Sequence, residues 1–175
     1  TRVEAEDLAA LADPYIRVSV ALQEAFGLRR KECLMIHPHQ ADQGSMLVLQ
    51  ASWTKGGRAR VVPIVSVHQG AVLDRAKQLV SPGASMIPAP KTYAQQRNRY
   101  DYVTRQAGLS KLHGLRHAAA QQRLKDLTGM EAPVNGGPTR REMTPEERER
   151  DINGRLILSQ EMGHVRGQIT RAYTG

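Results

Sequence analysis

Met46-Leu47-Val48-Leu49-Gln50-Ala51-Ser52-Trp53-Thr54-Lys55-Gly56-Gly57-Arg58-Ala59-Arg60-Val61-Val62-Pro63-Ile64 is the segment where the helical period of the chain gives way, and its reading decides the fold. Met46–Leu49 and Arg60–Ile64 are short β-branched and aliphatic runs that read as strands, and Gln50-Ala51-Ser52-Trp53 reads as a third short one. Lys55-Gly56-Gly57-Arg58 between them supplies glycines where a hairpin needs positive φ. The expectation is an α+β fold, mainly α, with a small three-stranded antiparallel sheet at one edge. The hairpin tip, with Lys55, Arg58 and Arg60, would be a mobile basic finger, or else an ordinary solvated turn.

On the N-terminal side, residues 5–12 and 14–26 read as helices broken at Asp13-Pro14, an N-cap followed by a first-turn proline. The second is apolar nearly all round (Ile16, Val18, Val20, Leu22, Phe26), so it should be buried, and Gly27 should stop it. A further helix begins near Arg29, with Arg29 and Glu32 sharing a face. Arg29-Arg30-Lys31 alone could be a solvated charge run, and Cys33 reads as a small buried hydrophobe. His37-Pro38-His39 with His68 lacks a Cys or acidic partner at ligand spacing, and its proline marks a connection from helix to strand, so no metal site is expected.

C-terminal to the hairpin, residues 66–80 form a helix with Val72, Leu73, Ala76 and Leu79-Val80 at helical spacing. Ser81–Pro90 is a loop. Lys91–Gly108 is a helix in which Tyr93, Tyr100 and Tyr102 are interleaved with Arg97, Arg99 and Arg105, which suits contact with phosphates or partial burial of the rings. His113-Gly114-Leu115-Arg116-His117 opens an alanine-rich helix with His113 and Arg116 on one face. Residues 128–143 read as a flexible loop or insertion. Thr144-Pro145-Glu146-Glu147 then starts a helix that should pack through Ile152, Leu156, Ile157 and Met162, weakened midway by Asn153-Gly154.

The 175 residues fit one domain able to bury a core, and no apolar run approaches the length of a membrane span. The single cysteine excludes an internal disulfide framework and fits a reducing cytosol. The net charge is +8. Residues 91–175 carry 15 Lys/Arg against 9 Asp/Glu, compared with 10 against 8 in residues 1–90. Such an excess points to a polyanion, with nucleic acid first, or else to a solvated basic surface kept for solubility. The chain begins with Thr, so it is expected to be a fragment or a processed form.

The last segment, Gly163-His164-Val165-Arg166-Gly167-Gln168-Ile169-Thr170-Arg171-Ala172-Tyr173, sets a histidine and a tyrosine nine residues apart. On one continuous helix they would face opposite sides, about 13.5 Å apart along the axis. A shared site requires a bend, for which Gly167 is suited.

Four separated segments together resemble the tyrosine recombinases, the phage-integrase family. Gly27-Leu28-Arg29-Arg30-Lys31-Glu32 is similar to the family's first arginine motif. Lys55 through Pro63 resembles its lysine hairpin, with Arg60 and Pro63 at the usual offsets. His113-Gly114-Leu115-Arg116-His117 matches its histidine-x-leucine-arginine-histidine motif, and Gly163-His164 followed by Tyr173 reproduces the interval to its nucleophile. The resemblance covers essentially the whole chain as one catalytic domain, residues 1–175, of DNA breaking-rejoining fold. The 48 residues from Arg116 to His164 exceed the family's usual interval, so 128–150 reads as an insertion. The family's N-terminal DNA-clamping domain and the tail that packs on a neighbouring protomer are expected to lie outside this chain.

The resemblance implies strand cleavage through a 3′-phosphotyrosine link. Arg29 and Arg116 would clamp the non-bridging phosphate oxygens. Tyr173 would be the nucleophile, His113 its base, His164 a donor to the phosphate and Lys55 the general acid, with Glu32 and His117 in support. Arg30, Lys31, Arg58, Arg60, Arg97, Arg99 and Arg166 are candidate DNA contacts. No metal and no other cofactor is called for, because the arginines and lysine supply the positive charge. The implied partners are double-stranded DNA and further copies of the chain, a tetramer on DNA, with no membrane and a bacterial, nucleoid-associated cytoplasmic location. The alternatives are a resolvase or a type IB topoisomerase-like enzyme of the same chemistry, and a basic helical DNA-binding module without catalysis.

Overall fold

The computed structural model describes residues 5–109, 112–163 and 167–175. They form two compact units, Thr1–Arg116 and His117–Gly175, divided inside one helix.

The first unit is built around α2 (Pro14–Phe26), which follows the short α1 (Ala5–Ala9). Asp13 Oδ1 accepts from the Tyr15 and Ile16 N–H groups at 2.9 and 3.3 Å, a cap worth about 1 kcal/mol. At the other end Gly27 takes φ 65° and sends its N–H to the Gln23 carbonyl. Ile16, Val20, Leu22 and Phe26 are buried, and α2 packs against α3 (Arg30–Met35), α5 (Val67–Leu79) and α6 (Tyr93–Gln106). Ser66 and Gln69 cap α5 reciprocally, and Thr92 and Gln95 do the same for α6. Cys33 is wholly buried and donates to the Arg30 carbonyl at 3.1 Å. Its thiol pKa is raised well above the ordinary value, first by burial and then by the charge of Glu32.

After α4 (Pro38–Ala41) the sheet has two strands, β1 (Met46–Leu49) and β2 (Arg60–Pro63), antiparallel with Met46 opposite Pro63 and Leu49 opposite Arg60. The expected third strand is absent from the described residues. Ala51–Trp53 is instead a 3₁₀ turn, closed by Trp53 N–H to the Gln50 carbonyl at 3.0 Å and Thr54 N–H to that of Ala51 at 3.2 Å. The turn brings the buried Trp53 indole onto the His37 ring, with centroids 5.0 Å apart. Burial of an indole outweighs extension of a strand through Ala and Ser, which have little to pack. The His39 ring nitrogen lies 2.9 and 3.1 Å from the Lys77 and Val80 carbonyls.

The second unit comprises most of α7 (His113–Thr128), together with α8 (Pro145–Glu161) and α9 (Gly167–Thr174). Ala120, Leu124, Ala132, Leu158, Met162 and Tyr173 form its core. Thr144 caps α8 by accepting from the Glu147 N–H at 3.2 Å. The face of α8 differs from the expectation: Ile152, Leu156 and Ile157 are exposed, while Asp151, Gly154, Leu158 and Ser159 are buried. Gly154 accounts for this. A Cβ there would stand 2.7 Å from Thr128 Cγ2, so α8 turns its glycine toward α7 at their crossing, and the larger aliphatic side chains face elsewhere. Residues 128–143 make several internal contacts. Ala132 is buried, Asn135 donates to the Gln121 side chain at 3.0 Å, and the Gly137 N–H reaches the Ala132 carbonyl at 3.1 Å. Among the described residues no helix is long and apolar enough to cross a membrane.

Candidate active site

The turn Gly27-Leu28-Arg29 joins α2 to α3 and carries the first candidate arginine. Arg29 is the N-cap residue of α3, and Glu32 Oε1 accepts its backbone N–H at 2.8 Å. The Glu32 carboxylate is wholly buried and receives Arg60 bidentately, Nε to Oε2 at 2.9 Å and Nη2 to Oε1 at 2.7 Å. The Arg29 guanidinium stands farther off, 3.5 Å from Oε2. Burial by itself raises the carboxyl, but the hydrogen bond and charge of Arg60 and then those of Arg29 outweigh it, and the pKa lies below its ordinary 4.5.

Arg60 therefore requires a correction. Expected at the hairpin tip as a DNA contact, it is only 6% exposed and faces Glu32 inside the unit. Its position as the first residue of β2 turns it inward, because a buried carboxylate demands a partner. Lys55 and Arg58 do lie on the exposed tip. Gly56 and Gly57 there adopt φ 91° and 68°, and Thr54 closes the turn by donating to the Arg58 carbonyl at 2.7 Å and accepting its N–H at 3.1 Å. Lys31 Nζ reaches the Thr54 carbonyl at 3.4 Å.

Arg116, on α7 and the last residue of the first unit, is 1% exposed and donates through Nη1 to the Gly27 carbonyl at 2.8 Å. The structure thus brings Arg116 to the same turn that presents Arg29. His113, one turn earlier on α7, is exposed. Two residues with no assigned role hold that turn as well. Gln23 donates to the Leu28 carbonyl at 3.3 Å, and Tyr100 donates its hydroxyl to the Gln23 side-chain oxygen. The signal in the sequence was a glutamine on the buried face of an otherwise apolar helix. Tyr100 is correspondingly internal, and burial pushes its phenol far above the ordinary range.

In the second unit the Tyr173 ring packs on His117, with centroids 4.3 Å apart and planes inclined by 42°. Tyr173 is buried, and its carbonyl accepts from Gln121 Nε2 at 2.9 Å. Arg155, bound to Asp151, donates to Thr174 Oγ1 at 2.9 Å and fixes the end of α9. Gln121 and Arg155 escaped the sequence reading because neither belongs to a motif. His164 and Arg166 lie outside the described residues.

The remaining candidate contacts are tied within the first unit to different degrees. Arg30 pairs with Asp101 and Arg99 with Asp13, each at 3.0 Å, while Arg97 lies over the Tyr93 ring. The positive charge is concentrated in this unit. Thr1–Arg116 has 16 Lys/Arg against 9 Asp/Glu, whereas His117–Gly175 has 9 against 8. Among the described residues no three His, Cys, Asp or Glu gather as a metal would require.

A family profile described as Integrase matches residues 4–122, which includes the Arg29 turn, the Lys55 hairpin and the His113–His117 motif and ends before His164 and Tyr173. Comparison with curated proteins gives no match. A profile that spans two thirds of the sequence and contains three of the four motif segments settles the relationship: the chain belongs to the integrase family, the tyrosine recombinases.

Proposed function

We propose that this chain is the catalytic domain of a site-specific recombinase that cleaves and rejoins DNA through a covalent 3′-phosphotyrosine intermediate, in the integration or excision of a mobile element. The observation that carries the reading is the shared hold on the Gly27–Arg29 turn, which Arg116 grips through the Gly27 carbonyl while Arg29 occupies the other end. In this reading the Arg29 and Arg116 guanidiniums act together as anion donors for the phosphate, and one such donor removed from an acyl-transfer site costs roughly 10²–10³ in rate.

In this reading Tyr173 Oη attacks the phosphorus, an Oη–P bond forms and the bond to the 5′ oxygen breaks. The phenol proton passes to His113. Lys55 protonates the departing 5′ oxygen, and His164 donates to a non-bridging oxygen. The phosphotyrosine conserves the bond energy, so the freed 5′ hydroxyl can attack in reverse. Residues 128–150 are an insertion in this domain, which works as a tetramer on DNA.

The test is incubation with a suicide duplex nicked near the target site, followed by denaturing electrophoresis for a covalent adduct. Wild type should form it and Tyr173→Phe should not. An equal adduct from both would remove Tyr173 from its role. Confirmed DNA binding without any adduct would turn the reading into that of a binding module.

A further inference from the structure

We infer that Glu32 and Arg60 form an internal strut that sets the Lys55 hairpin against Arg29, which makes Arg60 a positioning residue for proton delivery to the leaving oxygen. The inference rests on the proposed strand-transfer reading.

The geometry is that of a single carboxylate serving two segments. Glu32 Oε1 holds the Arg29 backbone N–H at 2.8 Å and Arg60 Nη2 at 2.7 Å, and Oε2 holds Arg60 Nε at 2.9 Å. Arg60 is the first residue of β2 and pairs with Leu49, so the strut stands where the tip leaves the sheet. Beyond it the Thr54–Arg58 clasp makes the tip one short, closed turn, tethered a second time by Lys31 to the Thr54 carbonyl. Lys55 sits in that turn. A planar guanidinium bound through two N–H groups fixes both distance and angle, which an ammonium cannot do. Displacement of a proton donor by even an ångström is enough to impair it.

The experiment compares the ordinary nicked duplex with one in which sulfur replaces the bridging 5′ oxygen at the scissile phosphate. In both, the Tyr173 Oη–P bond forms. With oxygen, Lys55 must give its proton to the leaving atom. With sulfur, the thiolate departs with the electron pair and needs no proton, because thiols are far stronger acids than alcohols.

Arg60→Met should slow adduct formation on the oxygen substrate by about 10²-fold, the scale of a lost general acid, with most of the loss restored on the sulfur substrate. Lys55→Ala is the reference and should show the same selective rescue. Arg60→Lys, which keeps the charge but only one point of attachment, should lie between wild type and Arg60→Met and settles the matter should Arg60→Met fail to fold. Equal losses on both substrates for the folded Arg60 variants, or no loss on either, would overturn the strut. Failure of the sulfur substrate to rescue Lys55→Ala, or an adduct that survives in Tyr173→Phe, would strike the underlying reading instead.

Discussion

Glu32 stands at the junction of stability and chemistry. Removing one partner of a buried ion pair typically costs about 3–5 kcal/mol, because the other charge is left without compensation. Its carboxyl is depressed below 4.5, so its contribution to stability is fully present above that pH and is lost as the pH falls through the lower folded value. Glu32→Gln should therefore lower the melting temperature at pH 7 and flatten its decline as the pH falls below 4.5, as followed by circular dichroism. A parallel decline in both proteins would show that Glu32 does not govern acid unfolding. The motif places Glu32 beside Arg29, which it does contact, but gives no sign of Arg60 as its closer partner. A lone acid in the run Arg29-Arg30-Lys31-Glu32 signals pairing, yet the spelling of a strand does not reveal that Arg60 is the cation that turns inward.

At the scale of elements, the legible parts are those decided locally. Asp13-Pro14, Gly27, Ser66 and Thr144 mark their helix ends through bonds to residues two to four positions away. Ala51–Trp53 was misread because its conformation depends on where Trp53 finds His37, a contact between distant parts of the chain. The face of α8 was misread because hydrophobic spacing ranks residues by size, whereas a helix crossing selects for the small one. Gly154→Ala should destabilise the chain by about 1–3 kcal/mol through overpacking, despite alanine's better helix propensity. Thr128→Ser removes the opposing methyl and keeps the hydroxyl that bonds to the Leu124 carbonyl. Adding it to Gly154→Ala should recover most of the loss in thermal unfolding. An additive double variant would show that the Thr128 methyl does not set the crossing.

Over the whole molecule, the division into units redraws the distribution of charge. Counting from residue 91 onward places the excess in the C-terminal half, but the structure assigns residues 91–116, with six cations and one acid, to the first unit. Phosphate contact should therefore run along α6 and its flanks. Neutralising Arg97 and Arg105 together should reduce the slope of log binding constant against log salt by about 2, whereas Arg140→Gln with Arg141→Gln should leave it unchanged. The reverse ranking would move the DNA surface to the second unit. The same whole-chain view gives Cys33 a practical consequence. It is the only cysteine in these 175 residues and is wholly buried, with its thiol pKa raised, so the folded chain should react little with thiol reagents. A single cysteine introduced at an exposed position such as Ala172 or Arg58 would accept a fluorophore or spin label selectively, and the environment of the tyrosine-bearing helix or of the hairpin tip could be followed without first stripping the background.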